Sequence, residues 1–401
     1  MFTLTRHQPA AFLWNETGVG MQTIFCKGVD IGDSFGSPEN SARRLADLTE
    51  AHKLLDAGWA LRYTGDEARA TEAFMRAVQL APQSPRAHLA CAEVLLARGE
   101  LLSGWQEFAW RKQFNAHTRK IVELMTIPEW TGEKMPNGRL LVICDEGIGD
   151  SIMFARYLPS VAERVDSVAV GWEPFHPDLF QRMHGVSKVY TFAPNPSDFD
   201  AYVMICDLPL VFATTLETIP AAIPYMPLDE AKVRQWRERL EADLPGGTPR
   251  VGINWAGNPL HKRDALRSLA FDQLRPLLDI DGISFVSLQK AVRETDRAAL
   301  EAATNVLDAS EALQTFSDTA ALIANLDFVV TVDSVVAHLA GALGSQVAVL
   351  LPKPSDWRWM IDRTDTPWYP TMRLVRQQVC ANWAPVLREA QLLLRQLTSA
   401  Q

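Results

Sequence analysis

The sequence predicts an α/β protein: a short helical region followed by two successive halves, each a parallel sheet covered by helices. Three observations predict it. Apolar strand-like runs alternate with helical patterns through residues 119–245 and again through 250–401, and such alternation produces parallel strands joined by crossover helices. The run Pro245, Gly246, Gly247 and Pro249 punctuates the two halves as a linker. Residues 331–352, TVDSVVAHLAGALGSQVAVLLP, read as the core of a βαβ unit. An apolar run ending at Val332 meets Asp333 and Ser334, a small-residue helix follows, and Gly344 leads into a second apolar run.

Composition narrows the class. At 401 residues the chain is long enough for two or three domains. Hydrophobic content of 47% with 22% charged residues describes an ordinary globular protein. A net charge of −9 offers no general attraction to nucleic acid or anionic membranes, so any phosphate site must be local. No apolar run reaches the length of a transmembrane helix, and the first 25 residues lack the basic start, apolar core and cleavage site of a signal peptide. Five cysteines scattered at 26, 91, 144, 206 and 380 make neither a disulfide framework nor a metal cluster. A reducing cytoplasm fits them best.

Taken in order, residues 1–42 have weak periodicity and read as an irregular extension, with Met21 a second candidate start. Residues 43–118 are helical and repeat: Leu54 and His88, Gly65 and Gly99, and Phe74 and Phe108 each fall 34 apart. With Gly58, Leu61, Ala70, Ala77, Leu80 and Pro82, the first unit matches the tetratricopeptide pattern; a plain helical bundle is the alternative. The second unit keeps Leu95, Gly99 and Phe108 but carries Gly104 and Arg111 where the first has Ala70 and Ala77. Two repeats cannot close a core alone, so they must pack on the next domain or on a partner.

In residues 119–245, RLLVICDEGIGD is a strand opening into a turn and SIMFARYLPSVAERV an amphipathic helix. VDSVAVGW, SKVYTF and FDAYVMICDLP are further strands, with a helix expected near Pro177 to His184. In residues 250–401, RVGINWAG, ISFVSLQK and NVLDAS are strands, and FDQLRPLLDI, Glu294 to Ala303 and TAALIANL are helices. The βαβ unit follows, then a tryptophan-rich loop, the strand MRLVRQ and an amphipathic helix from Trp383 to Leu397. Two α/β halves on a short linker leave a cleft between them.

Three segments carry chemistry. In DEGIGD, residues 145–150, Gly147 and Gly149 let the backbone turn tightly after a strand and approach a ligand. Asp150 then stands at the mouth of a helix, either as a general base or as an N-cap. In NWAGNPLHKRDALRSL, residues 254–269, Lys262, Arg263 and Arg267 cluster beside His261 at a strand end. That loop either neutralises a pyrophosphate or is an ordinary solvated basic loop. Asp333 or Ser334 caps the next helix, whose free N–H groups suit a phosphate; an ordinary capped helix is the alternative. Trp357, Trp359 and Trp368 wall the cleft or pack between the halves. Asp356, Arg358, Asp362 and Arg363 read as exposed ion pairs.

The order GIGD, GINWAGNPLHKRDALRSL, SLQK, TVDSVVAHLAGALG, LLPKPSDWRW and PWYPTMRLVRQ resembles bacterial tetratricopeptide-repeat glycosyltransferases. Their catalytic part is of the lipopolysaccharide heptosyltransferase type and is also similar to O-GlcNAc transferases. The resemblance covers about residues 45–395. It implies a GT-B fold, with two Rossmann-like domains: an acceptor domain over 119–245 and a nucleotide-sugar domain over 250–401 whose final helix returns to the first half. It implies that Asp150 is the catalytic base. If Asp150 only caps its helix, Glu146 of the same turn is the next candidate. Lys262 matches a lysine on the donor diphosphate. Asp333, Ser334 and His338 match the D-[ST]-x-x-x-H-L motif, though His338 is equally placed to pack the helix. Gly147, Gly149, Asn258, Arg263 and Arg267 complete the substrate-binding set. The chain departs from the family at Val335, where a small residue is usual, and in its short repeat region.

The implied reaction is direct displacement at a sugar's anomeric carbon, without a bound metal or cofactor; no D-x-D motif stands in a loop with the other features of a site. The donor is a nucleotide-diphosphate sugar and the acceptor a glycan, a lipid-linked molecule or a protein. The repeats are a surface for a protein partner or for self-association. Two other readings are a non-catalytic interaction protein on the same scaffold and a nucleotide-sugar epimerase.

Overall fold

The computed structural model describes residues 38–172 and 176–399. The expectations for the N-terminal extension up to residue 37, including Met21, the leader reading and Cys26, lie outside the described residues. Residues 38–46 open helix α1 (Pro38–Thr64), and Asp47–Gln401 forms one compact unit.

Helices α2 (Glu67–Leu80), α3 (Pro85–Ala97) and α4 (Leu101–Phe108) continue from α1 as antiparallel hairpins. Asp66 caps α2, accepting from the Arg69 N–H at 3.1 Å, and Ser84 caps α3. The glycines 34 apart follow α1 and α3 in the left-handed region, Gly65 at φ +87° and Gly99 at φ +81°, where a side chain would be strained. Gly58 is small because a Cβ there would run into the Phe74 ring. Leu55, Phe74, Ala77, Ala90 and Val94 close this small core. The second hairpin instead joins the main core through Leu96, Leu101 and Trp105. Trp105 sits edge-on to Phe154, Trp357 and Trp368, and its Nε1 donates to the Thr214 carbonyl at 3.2 Å. The helical region therefore packs on the α/β part of its own chain.

Short helices α5 (Arg111–Phe114) and α6 (Ala116–Leu124) lead into the first sheet. Its strands are β1 (Met135–Ile143), β2 (Val165–Gly171), β3 (Lys188–Val189) and β4 (Ala201–Met204), all parallel, in the order β3-β2-β1-β4. The segment after β1 is broken into α7 (Ile148–Phe154), a 3₁₀ turn at Ala155–Tyr157 and α8 (Leu158–Ala162), because Pro159 has no N–H to continue the ladder. The helix expected near residue 180 is only a 3₁₀ turn, Pro177–Leu179. Helices α9 (Leu208–Val211) and α10 (Glu230–Asp243) follow β4.

The second sheet contains β5 (Arg250–Asn254), then helices α11 (Asp264–Arg267) and α12 (Arg275–Leu278), β6 (Ser284–Ser287), α13 (Glu294–Glu301) and β7 (Val306–Asp308). It continues with α14 (Phe316–Ile323), β8 (Phe328–Val332), α15 (Val335–Ala342), β9 (Val347–Leu351), β10 (Met372–Arg376) and α16 (Ala384–Ser399). The order β10-β9-β8-β5-β6-β7 is the doubly wound order of a nucleotide-binding sheet, with its switch point between β5 and β8. β8 and β9 are buried along their whole length, as a sheet covered on both faces requires. Two Rossmann-like halves, each with its own parallel sheet, make the fold GT-B.

The last helix differs from expectation. It packs on β9, β10 and α12 of its own half and does not return to the first. Val386, Leu387, Ala390 and Leu394 form one apolar stripe, and that stripe is fully used in the second core, beside Leu277 and Leu350. The halves are joined instead by α7 against α15 and by α10 against α14.

Candidate functional site

The carboxyl ends of the two sheets face one cleft, a cavity of about 610 Å³. Ligands of open α/β sheets bind at this end because every strand there opens into a loop and every following helix presents its N-terminus. The first half contributes the turn after β1, residues 146–150; the second contributes the loops after β5, β6 and β8 and the start of the tryptophan-rich loop.

The structure brings Gly147, Gly149, Asp150, Asn258, Arg263, Arg267, Asp333, Ser334 and His338 together along this cleft. It does not bring Lys262, which is exposed at the tip of the loop. The loop is pinned directly after it. The Asp264 carboxylate accepts from Ser268 Oγ and Arg293 Nη2, and Arg263 turns inward to donate to Glu93 at 3.4 Å and to the Pro354 carbonyl. Lys262 is thereby directed to solvent. Of Lys262 and Arg267, it is Arg267 that lines the cleft, its guanidinium over Gly257; a Cβ on Gly257 would sit 2.7 Å from Nη2. Arg267 Nε is buried without a hydrogen-bond partner in the protein.

At the head of α15, Ser334 Oγ accepts from the Val336 N–H at 3.2 Å and donates to Asn254 Oδ1 at 2.8 Å. Thr331 Oγ1 donates to the same oxygen at 3.1 Å, and Asn254 Nδ2 donates to Gln289 Oε1 at 2.7 Å. This buried network ties the ends of β5, β6 and β8. Asn254 and Gln289 line the cleft, and sequence reasoning assigned them no role although both stand where their strands end. Asp333 is held above the usual carboxylate range by burial and by the charge of Asp356. His338 Nδ1 lies 2.9 Å from the Tyr369 hydroxyl, and its ring stacks on Trp359. Burial, and then the Arg358 charge, press its imidazole down to about 3, so it is neutral at neutral pH.

The tryptophan-rich loop corrects the surface reading. Trp357, Trp359 and Trp368 are fully buried and pack between halves. Asp356 and Arg358 are not exposed: they line the cleft, and Arg358 Nη1 donates to Asp356 Oδ1 at 2.8 Å. Burial would raise Asp356, but Arg358 and Arg263 hold it well below the usual carboxylate range. Arg358 also reaches Asp150 across the cleft, its Nε donating to Oδ1 at 2.9 Å. The other Asp150 oxygen accepts from the Gly147 N–H at 3.1 Å. Gly149 lets α7 close on α15, since a Cβ there would meet His338 Cδ2 at 2.8 Å.

Glu146, two strides before Ile148, also lines the cleft. Its Oε1 accepts from Asn115 Nδ2 at 3.2 Å and Thr118 Oγ1 at 3.4 Å, both at the start of α6. Beneath it, Arg111 Nε donates to Asp145 Oδ2 at 3.0 Å and Nη1 to Asp207 Oδ1 at 2.7 Å. Burial raises Glu146 to about 7, and Asp145 and Asp150 push the same way. Among the described residues, no group of three or more His, Cys, Asp or Glu side chains is arranged to hold a metal ion, and no helix is long and apolar enough to cross a membrane.

No family model matches the chain. Protein FlbA of Caulobacter vibrioides is 28% identical over 427 residues, covering 98% of this chain and 68% of that protein. Among solved structures, a glycosyl transferase family 9 protein of Veillonella parvula overlaps 68% of this chain and all of its own at 11% identity and a TM-score of 0.48. The ADP-heptose lipopolysaccharide heptosyltransferase II of E. coli overlaps 64% of this chain and 99% of its own at 16% identity and a TM-score of 0.43. An O-GlcNAc transferase mutant of Thermobaculum terrenum overlaps 91% and 93% at 13% identity and a TM-score of 0.30.

Proposed function

We propose that the chain is a glycosyltransferase that moves a sugar from a nucleotide-diphosphate donor to an acceptor hydroxyl by direct displacement, without a bound metal. One observation carries the reading. A single cleft sets a buried, unpartnered Arg267 Nε and the N-terminus of α15 on one wall, and carboxylates of the 146–150 turn on the other. The first wall suits a diphosphate leaving group, because a guanidinium and free N–H groups stabilise the charge that develops as it departs. The second suits an acceptor hydroxyl that must lose a proton. Arg267 replaces Lys262 as the diphosphate's cation in this proposal, with Ser334 and Asn254 fixing the helix start. Four cysteines, at 91, 144, 206 and 380, are unpaired, which suits a reducing compartment.

The test is a melting-temperature screen with ADP, UDP, GDP and CDP, since a ligand of the native state alone raises its melting point. At least one should stabilise the protein. Arg267→Ala should weaken that binding by about 1.5–3 kcal/mol, the scale of a charge-assisted hydrogen bond, while Lys262→Ala leaves it unchanged. No stabilisation by any nucleoside diphosphate at millimolar concentration would overturn the reading in favour of an interaction protein.

A further inference from the structure

We propose that Glu146, not Asp150, is the group that takes the acceptor's proton, and that Asn115 and Thr118 of the helical region position it. The inference rests on the transfer reading above.

Geometry separates the two carboxylates. A general base must be free to turn to the hydroxyl it deprotonates. Asp150 is held in an ion pair across the cleft: Oδ1 takes two N–H donors of the part-buried Arg358, and Oδ2 takes the Gly147 N–H. It thus ties the first half to the second and caps its own helix turn. Glu146 stands on the same turn and the same cleft wall, but it forms no ion pair among the described residues. Its partners are a neutral amide and a neutral hydroxyl gathered on Oε1, with Asn115 Nδ2 only at 3.4 Å from Oε2. A carboxylate fixed from one side by neutral donors is oriented yet keeps lone pairs for an incoming hydroxyl.

The surroundings match the task. The groups that act on Glu146 are Asp145 beneath it and Asp150 beside it, which raise its proton affinity, and Arg111 and Arg358, which lower it. With burial the balance comes out near neutrality, where a base is both ionised and strong enough to accept a proton. In the step itself the acceptor oxygen bonds to the anomeric carbon as its proton passes to Glu146. The bond from that carbon to the diphosphate oxygen breaks, and its electron pair leaves with the nucleoside diphosphate. Glu146 then returns the proton to solvent.

Asn115 precedes α6 and Thr118 lies in its first turn, and α6 follows the helical hairpins, so that region reaches the reacting wall. Asn115 also caps α6 through Oδ1, accepting from the His117 N–H at 3.0 Å.

The experiment measures nucleoside diphosphate release by the full chain from UDP-glucose, UDP-N-acetylglucosamine, GDP-mannose and ADP-glucose, with water standing in for the acceptor, as a function of pH. Wild-type release should rise about tenfold per pH unit up to about 7 and then level. Glu146→Gln, which preserves shape and removes a buried charge, should lower release roughly 10²–10⁴-fold with nucleoside diphosphate binding unchanged. Asn115→Ser keeps the cap but loses the Nδ2 donor, so the pH limb should move upward while release at high pH is retained. Release by Glu146→Gln within about threefold of wild type, or a pH limb that Asn115→Ser does not move, would overturn the proposal while leaving the transfer reading in place. Absence of both binding and release in the wild type would overturn the two together.

Discussion

Arg358 crosses the cleft to Asp150, its Nε donating to Oδ1 at 2.9 Å and its Nη2 donating to the same oxygen. An arginine from the tryptophan-rich loop of one half thus closes on the glycine turn of the other. The pair is shielded, with each side chain about one-sixth exposed, and Asp356 holds the guanidinium from behind. That geometry makes the contact a clamp between halves.

Asp150→Asn should therefore act on stability. Arg358 keeps Asp356 but loses its second charge partner, at a cost of about 1–3 kcal/mol. Urea unfolding should show the loss. A variant as stable as wild type would reduce Asp150 to a helix cap, since Asn caps as well as Asp.

Gly149→Ala should destabilise by about 1–3 kcal/mol, because its Cβ meets the buried His338 ring where α7 closes on α15. Gly246→Ala is the matched control: nothing lies within 4 Å of the added methyl, and its melting point should be unchanged or slightly higher. Equal melting points for the two variants would contradict the close approach.

Two groups give stability opposite pH dependences. Glu146 binds its proton more tightly folded than unfolded, since its value rises from 4.5 to about 7. Its contribution is therefore lost as pH climbs from about 4.5 to 7, and Glu146→Gln should gain roughly 2–3 kcal/mol relative to wild type across that window. His338 resists protonation when folded, its value falling from 6.5 to about 3. Stability is lost as pH drops from about 6.5 toward 3, and His338→Asn should flatten that acid limb. Unfolding free energies at half-unit pH steps would show both differences or neither.

Arg111→Met should cost about 3–5 kcal/mol, because it leaves Asp145 and Asp207 as buried carboxylates without their shared cation. Lys112, 3.0 Å from Asp207 Oδ2, compensates one of them in part. Lowering the pH protonates the stranded carboxyls, so the gap to wild type should narrow in acid. A gap constant with pH would show that Arg111 acts through packing alone.

The sequence by itself determined the two α/β halves, the linker, the helical hairpins 34 residues apart and the βαβ unit at 328–351. Those features rest on short-range physics: strand and helix periodicities, glycines at positive φ, and caps such as Asp66, Ser84 and Ser334 that bond to residues two or three away. That Arg267 lines the cleft and Lys262 does not was not legible, because the two differ only by where Asp264 and Arg263 anchor the loop to distant Arg293, Glu93 and Pro354. The same holds for Arg358, whose partner Asp150 is 208 residues away, and for Glu146, whose character comes from Asn115, Thr118 and the Arg111 cluster. The last helix shows the complement: its apolar stripe was evident, but only the tertiary structure decided which half buries it. Long-range pairing selects among loops and faces that look alike locally, since burial and charge compensation exist only once distant segments meet.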